Sequence, residues 1–251
     1  HRHRASDLSE VATMTDSAGR RVAVVGDGMV LASLYSTHVE GRPQRAGNQV
    51  MKPTIDQRIG VGSDLIAVNE TEALFIHEKN GSVELFTPGA TLKRQTLFTA
   101  NWGRLLAAAS DLSEVVVAGG RRVARFSNRG GTWKATDVES TGHLWVSIAR
   151  SVDGAWLAAG SLNGEVVVWS TADNRVKARL FGHRKRVASL TFAREGHVLA
   201  TSSWDATVRL WDVRAWTMRP QDIRATTQGA WAIGLQLALA AALYGLGRRL
   251  T

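Results

Sequence analysis

GHLWVSIARSVDGAWLAAGSLNGEVVVWS, from Gly142 to Ser170, and GHRKRVASLTFAREGHVLATSSWDATVRLWD, from Gly182 to Asp212, state one structural sentence twice. Both open on Gly-His and close on a run that carries tryptophan. His143 and His183 lie 40 residues apart, and Trp169 and Trp211 lie 42 apart. An internal period of roughly 40 to 50 residues is that of the blades of a β-propeller.

Within each copy, three apolar runs of strand length are separated by short turn signals, the pattern of an antiparallel meander and not of a helix. In the second copy the runs are Val187 to Ala193, Val198 to Ser202 and Val208 to Val213, with turns at Glu195-Gly196 and Asp205-Ala206. In the first copy Asp153-Gly154 and Asn163-Gly164 take the same two places, where residues tolerant of positive φ allow a tight hairpin. A fourth, outer strand is expected at Val176 to Phe181.

Gly182, His183, Ser203, Asp205, Trp211 and Asp212 resemble the signature of the WD-repeat β-propeller family. In that family a His, a Ser or Thr, a turn Asp and a Trp form a hydrogen-bonded tetrad that ties the outer loop of a blade to its third strand. The resemblance implies one full tetrad of His183, Ser203, Asp205 and Trp211, and a second of His143, Ser161, Asn163 and Trp169. Asn163 stands where the second copy has a carboxylate. An amide offers a His donor a weaker acceptor, so the second tetrad is expected to be the weaker one.

Toward the N-terminus the signal fades. Phe126, after the Gly119-Gly120 turn, and Phe86, after Asn80-Gly81, keep the spacing without the Gly-His opening or the Trp. They predict degenerate blades held by packing alone. An earlier blade would run through Val22 to Val25, Asp27-Gly28 and Leu31 to Tyr35, followed by a long insertion from Thr37 to Gln57. The reading is therefore all-β: a propeller of four-stranded antiparallel blades over 1–213, with about five repeats near 5–58, 59–98, 99–141, 142–181 and 182–213. Four to eight blades are usual, so ring closure stays open. The opening HRHRASD, without Met, leads us to expect upstream sequence.

After a linker at 214–228, broken by Pro220, an apolar segment runs through 229–251. Gly229 to Gly247 carries no charge and would be about 28 Å long as a helix, close to the thickness of a bilayer core. Trp231 and Tyr244 lie near its ends, and Arg248-Arg249 follow. Six alanines and four glycines weaken that case. A membrane anchor, a helix packed on protein and a non-native tail all remain open.

Nine Trp, 24 Gly and four Pro in 251 residues suit many short strands joined by tight turns. The absence of Cys excludes disulfides, cysteine nucleophiles and thiolate metal sites, and fits a cytoplasmic address, with membrane association through 229–247 as the alternative. The net charge of +9 is scattered, and no nucleic-acid-binding motif accompanies it, so a nucleic-acid partner is not expected. No phosphate-cradling Gly loop, Gly-flanked nucleophilic Ser or pair of His at ligand spacing is present, so neither catalysis nor a cofactor or metal is expected. Asp111, Glu114, Asp137, Glu139 and Asp153 are read as turn and loop carboxylates.

What remains is binding. Arg184, Lys185 and Arg186 follow His183 in the loop that the resemblance puts on the partner-binding face, and Trp204 either lies near the same rim or packs against a neighbouring blade. Tryptophan beside arginine is the composition of an interaction hot spot. The expected function is a non-catalytic scaffold or adaptor for a protein or peptide ligand. Two alternatives use the same fold: a membrane-tethered propeller in trafficking or exchange, and the regulatory end of a larger signalling enzyme.

Overall fold

The computed structural model describes residues 62–69, 71–87, 93–138, 140–193 and 198–218, together with short strands between 12 and 57 and at 223–224. All the regular elements among them are β-strands, arranged as five antiparallel sheets. The first holds β1 (Ala12–Thr15), β2 (Arg21–Val25), β3 (Met29–Ser33), β4 (Val39–Arg42) and β5 (Ile55–Gln57). The second holds β6 (Gly62–Asn69), β7 (Glu72–His77), β8 (Ser82–Thr87) and β9 (Lys93–Thr99). The third holds β10 (Leu105–Ala108), β11 (Glu114–Gly119), β12 (Arg122–Arg129) and β13 (Thr132–Asp137). The fourth holds β14 (Trp145–Arg150), β15 (Trp156–Ser161), β16 (Val166–Ser170) and β17 (Val176–Leu180). The fifth holds β18 (Val187–Phe192), β19 (Val198–Ser203), β20 (Thr207–Asp212) and β21 (Thr217–Met218), with β22 (Ile223–Arg224) also paired to β20.

Each sheet is an up-and-down meander in chain order, the blade of a propeller. The chain forms two compact units, 1–101 with the first two sheets and 102–251 with the other three. The burial of the strands explains their composition. The second strands, such as Glu114–Gly119 and Val198–Ser203, are buried along their whole length. Covered on both faces, such strands need a continuous run of small and β-branched residues and not an alternation. The outer strands Lys93–Thr99 and Thr132–Asp137 are mostly exposed and polar.

In the C-terminal unit the core is built between successive sheets. Val116, Ala118 and Val123 of the third sheet pack with Trp145, Leu157 and Trp169 of the fourth. Ala158, Val166 and Leu180 of the fourth pack in turn with Val187, Leu199 and Trp211 of the fifth. Closeness at these junctions is set by glycine. A Cβ on Gly164, whose φ is +96°, would lie 2.4 Å from the carbonyl oxygen of His183. A Cβ on Gly160 would lie 2.5 Å from Ser147 Oγ, which donates to the Val187 carbonyl at 2.8 Å.

Four expectations change. The Thr37–Gln57 insertion is not strand-free, because β4 and β5 lie inside it and extend the first sheet. The linker after Asp212 likewise supplies β21 and β22, which occupy the open edge of β20, where unpaired backbone groups would otherwise face outward.

The degenerate blades are not held by packing alone. In the second sheet Glu84 accepts from Arg94 at 2.9 and 3.0 Å and lies 3.1 Å from His77 Nε2. Burial opposes the charge on Glu84, but Arg94 and His77 outweigh it and hold the carboxyl below its ordinary value. In the third sheet Glu114 is buried and paired with arginines, so it is not a turn carboxylate. The apolar segment 229–251 lies outside the described residues.

Candidate partner-binding face

In a meander the second-to-third-strand turn and the connection to the next sheet emerge at one end, while the other two turns emerge at the opposite end. For the fourth and fifth sheets the first end carries Leu144, Leu162, Phe181, Arg184, Lys185, Arg186 and Trp204. Leu144 is 44% exposed, Leu162 49%, Phe181 68% and Trp204 50%. Only Val152, at the opposite end, joins them as an exposed large apolar residue among the described residues.

The two sheets build this end by the same backbone device. Leu162 N–H donates to the Leu144 carbonyl at 2.9 Å, and Trp204 N–H donates to the Arg186 carbonyl at 3.0 Å. Leu144 and Leu162 are thus the counterparts of Arg186 and Trp204. The Arg186 guanidinium sits 5.2 Å from the centre of the Trp204 ring, a cation-π geometry, while Arg184 and Lys185 point to solvent. The structure therefore places all four sequence-expected residues together and adds Leu144, Leu162 and Phe181. Counting from the strands, and not from Gly-His, would have found the leucines, because Leu162 precedes Trp204 by the same 42 residues as Trp169 precedes Trp211.

Beneath the face a hydrogen-bonded chain fixes the loop. Trp211 Nε1 donates to Thr201 Oγ1 at 3.0 Å, Thr201 Oγ1 lies 2.8 Å from His183 Nε2, and His183 Nδ1 lies 3.1 Å from Asp205 Oδ2. One assignment of protons satisfies every group: Thr201 O–H donates to Nε2 of a neutral imidazole whose Nδ1–H donates to Asp205. The hydroxyl of the tetrad is therefore Thr201, not Ser203. In the β19–β20 register Leu199 is opposite Trp211, which puts Thr201 at the diagonal position within reach of the indole. Ser203 lies two residues further along the strand. Its Oγ instead donates to the Lys185 carbonyl at 2.9 Å and accepts Asp205 N–H at 3.1 Å, which shapes the loop itself. Asp205 also accepts Arg184 N–H at 2.9 Å, so the carboxylate orders the first residue of the basic cluster.

The fourth sheet departs from the expected second tetrad. Ala159 stands at the Thr201 position, and Gly-His is separated from Trp145 by one residue, where the fifth sheet has three before Val187. His143 cannot follow the path of His183. Its Nε2 lies 2.9 Å from Glu165, a carboxylate two residues beyond Asn163, which Arg179 also holds at 2.9 Å. Ser161 Oγ closes the local turn on the Glu165 carbonyl at 2.7 Å. Trp169 is buried in the apolar layer between the third and fourth sheets.

Burial pushes the His183 imidazole below its ordinary value, although Asp205 pulls the other way. Burial works against the Asp205 charge too, but bonds from Thr207, Arg184 and His183 prevail and hold its carboxyl at about 2. Both folded values are depressed, so both groups make acid destabilising. The His183 contribution is complete above 6.5 and is lost as pH falls through its lowered folded value. The Asp205 contribution is complete above 3.8 and is lost as pH falls through about 2. Melting temperatures recorded from neutrality into acid should decline in two stages, and Asp205→Asn should diminish the lower one, to which Glu84 also contributes. A flat profile below 6.5 would contradict the neutral, buried imidazole.

Residues 136–170 and 174–212 match the family model described as WD domain, G-beta repeat. Periodic tryptophan protein 2 of Arabidopsis thaliana is 42% identical over 76 residues, 30% of this chain and 8% of that protein. Periodic tryptophan protein 2 of Saccharomyces cerevisiae is 39% identical over 67 residues, 26% of this chain and 7% of its own length. ROOT INITIATION DEFECTIVE 3 of Arabidopsis thaliana is 25% identical over 67 residues, 27% of this chain and 15% of its own. The chain thus matches only a small part of relatives much longer than the aligned stretch.

Proposed function

As a member of the WD-repeat β-propeller family, this chain is, we propose, a non-catalytic interaction scaffold whose protein or peptide ligand binds across the end formed by Leu144, Leu162, Arg184, Lys185, Arg186 and Trp204. The observation that carries this reading is the concentration of exposed apolar side chains and cations at one end of adjacent blades. Apolar residues scattered singly over a surface need no explanation, whereas a patch rimmed by charge is the composition of a docking site. Trp204 stacked by Arg186 is a preformed anchor that loses little side-chain entropy on binding. Family likeness adds support by analogy of fold. The His, Asp and Thr groups nearest this face are engaged with one another, as structural members of the hydrogen-bonded chain.

The test is quantitative affinity capture with the wild-type chain, an Arg184→Glu/Trp204→Ala variant and a Val152→Glu variant at the opposite end. The face variant should lose its partners by at least about tenfold, as expected for a hot spot, and keep its melting temperature. Val152→Glu should retain them. Equal retention by a folded face variant would refute the assignment.

A further inference from the structure

We propose that a cavity at the junction of the third and fourth sheets is a second anchor site on the same face, taking a bulky apolar side chain from an acidic segment of the protein partner. This rests on the binding-face reading above and names the chemistry of its ligand. The cavity has a volume of about 560 Å³, within the range of specific ligand pockets. Val123, Val138, Trp145 and Trp169 form its apolar floor, and each is buried. It opens beside the Gly119-Gly120 turn, at the end of the sheets that carries Leu144 and Leu162. Gly120 lines the cavity, and a Cβ there would meet nothing within 4 Å.

The charge around the mouth selects the occupant. Asp137 is neutralised by Arg122, which holds it through two bonds of 2.8 and 3.1 Å. The same guanidinium lies 4.5 Å from the centre of the Trp102 ring, closing one wall with an aromatic-cation stack. Arg121 is exposed, and its Nη1 donates to the Gly142 carbonyl, a neutral acceptor that leaves its charge uncompensated among the described residues. Further along the same end stand Arg184 and Lys185, both exposed. An extended segment laid across the ends of the third, fourth and fifth sheets would meet cation, apolar shelf and cation in turn. Carboxylates flanking large apolar side chains complement that order, and lysines would be repelled.

The probe is a short fluorescein-labelled peptide with a tryptophan flanked by glutamates, and its counterpart flanked by lysines, titrated against the full chain by fluorescence anisotropy. Ser140 is exposed at the cavity mouth, so Ser140→Trp plugs the entrance without entering the core. The acidic peptide should bind and the basic one should not. Ser140→Trp and Arg121→Glu should each weaken binding by at least about tenfold with an unchanged melting temperature. If Ser140→Trp binds like wild type while Arg184→Glu/Trp204→Ala does not, the cavity proposal fails and the binding face stands. If neither peptide binds while captured partners still depend on Trp204, the acidic-segment proposal is likewise overturned.

Discussion

Trp211→Ala is expected to lower stability by about 3–5 kcal/mol, or about 10 °C in melting temperature, measured by thermal and urea unfolding. Two losses combine. The indole is 3% exposed and packs with Ala158, Val166 and Leu180 of the preceding sheet, so truncation opens a cavity at an inter-sheet junction. Its Nε1–H is also the first donor of the chain through Thr201 and His183 to Asp205. Thr201→Val isolates the second loss, because it keeps the shape and removes the hydroxyl. It should cost about 1–3 kcal/mol by leaving Trp211 Nε1 and His183 Nε2 without partners. The imidazole resonances of His183 should shift in Thr201→Val and stay nearly in place in Ser203→Ala. The reverse pattern would restore Ser203 to the tetrad.

Glu114→Ala should cost a similar amount for an electrostatic reason. Glu114 accepts from Arg125 Nε at 2.8 Å and from Arg150 Nε at 3.0 Å, with side-chain exposures of 8, 18 and 15%. Arg125 also donates to the Thr171 carbonyl and to Asn174 Oδ1. The carboxylate thus joins the third sheet to the first strand of the fourth, and Arg125, which it holds, reaches the last turn of that sheet. Removing it leaves two arginines without their counter-ion in a poorly solvated place, a loss of about 3–5 kcal/mol. High salt should not erase the difference, because buried pairs are weakly screened. Replacing all three residues by apolar ones of similar size should recover much of the loss. A salt-sensitive effect below about 1 kcal/mol would mean that the cluster behaves as an exposed pair.

The repeat made the blades legible because strand period, turn chemistry and the buried tryptophan all agree in Gly142 to Asp212. Asn163-Gly164 turns at a positive φ as expected, and Asp205-Ala206 does so with Ala206 at φ +63°. The polar partners were harder to read because a sequence gives the order of side chains and not their reach. Thr201 and Ser203 lie on the same side of one strand, and only the register of β19 on β20 decides which hydroxyl meets Trp211. Glu165 escaped notice because it lies two positions beyond Asn163, the residue that occupies the place of Asp205 in the other copy. Glu114 escaped because its arginines stand 11 and 36 residues away. Short strands such as Val39–Arg42 and Thr217–Met218 lack the continuous apolar run of the central ones, so neither stands out as a strand in the sequence.

The central claim is that the ligand lies across the end carrying Leu162 and Trp204. Site-specific photo-crosslinking in cells tests it most directly, with benzoylphenylalanine placed singly at Leu162, at Trp204 and at Val152. The account predicts the same crosslinked partner from Leu162 and Trp204 and none of it from Val152. A partner captured from Val152 alone, or equally from all three, would contradict it.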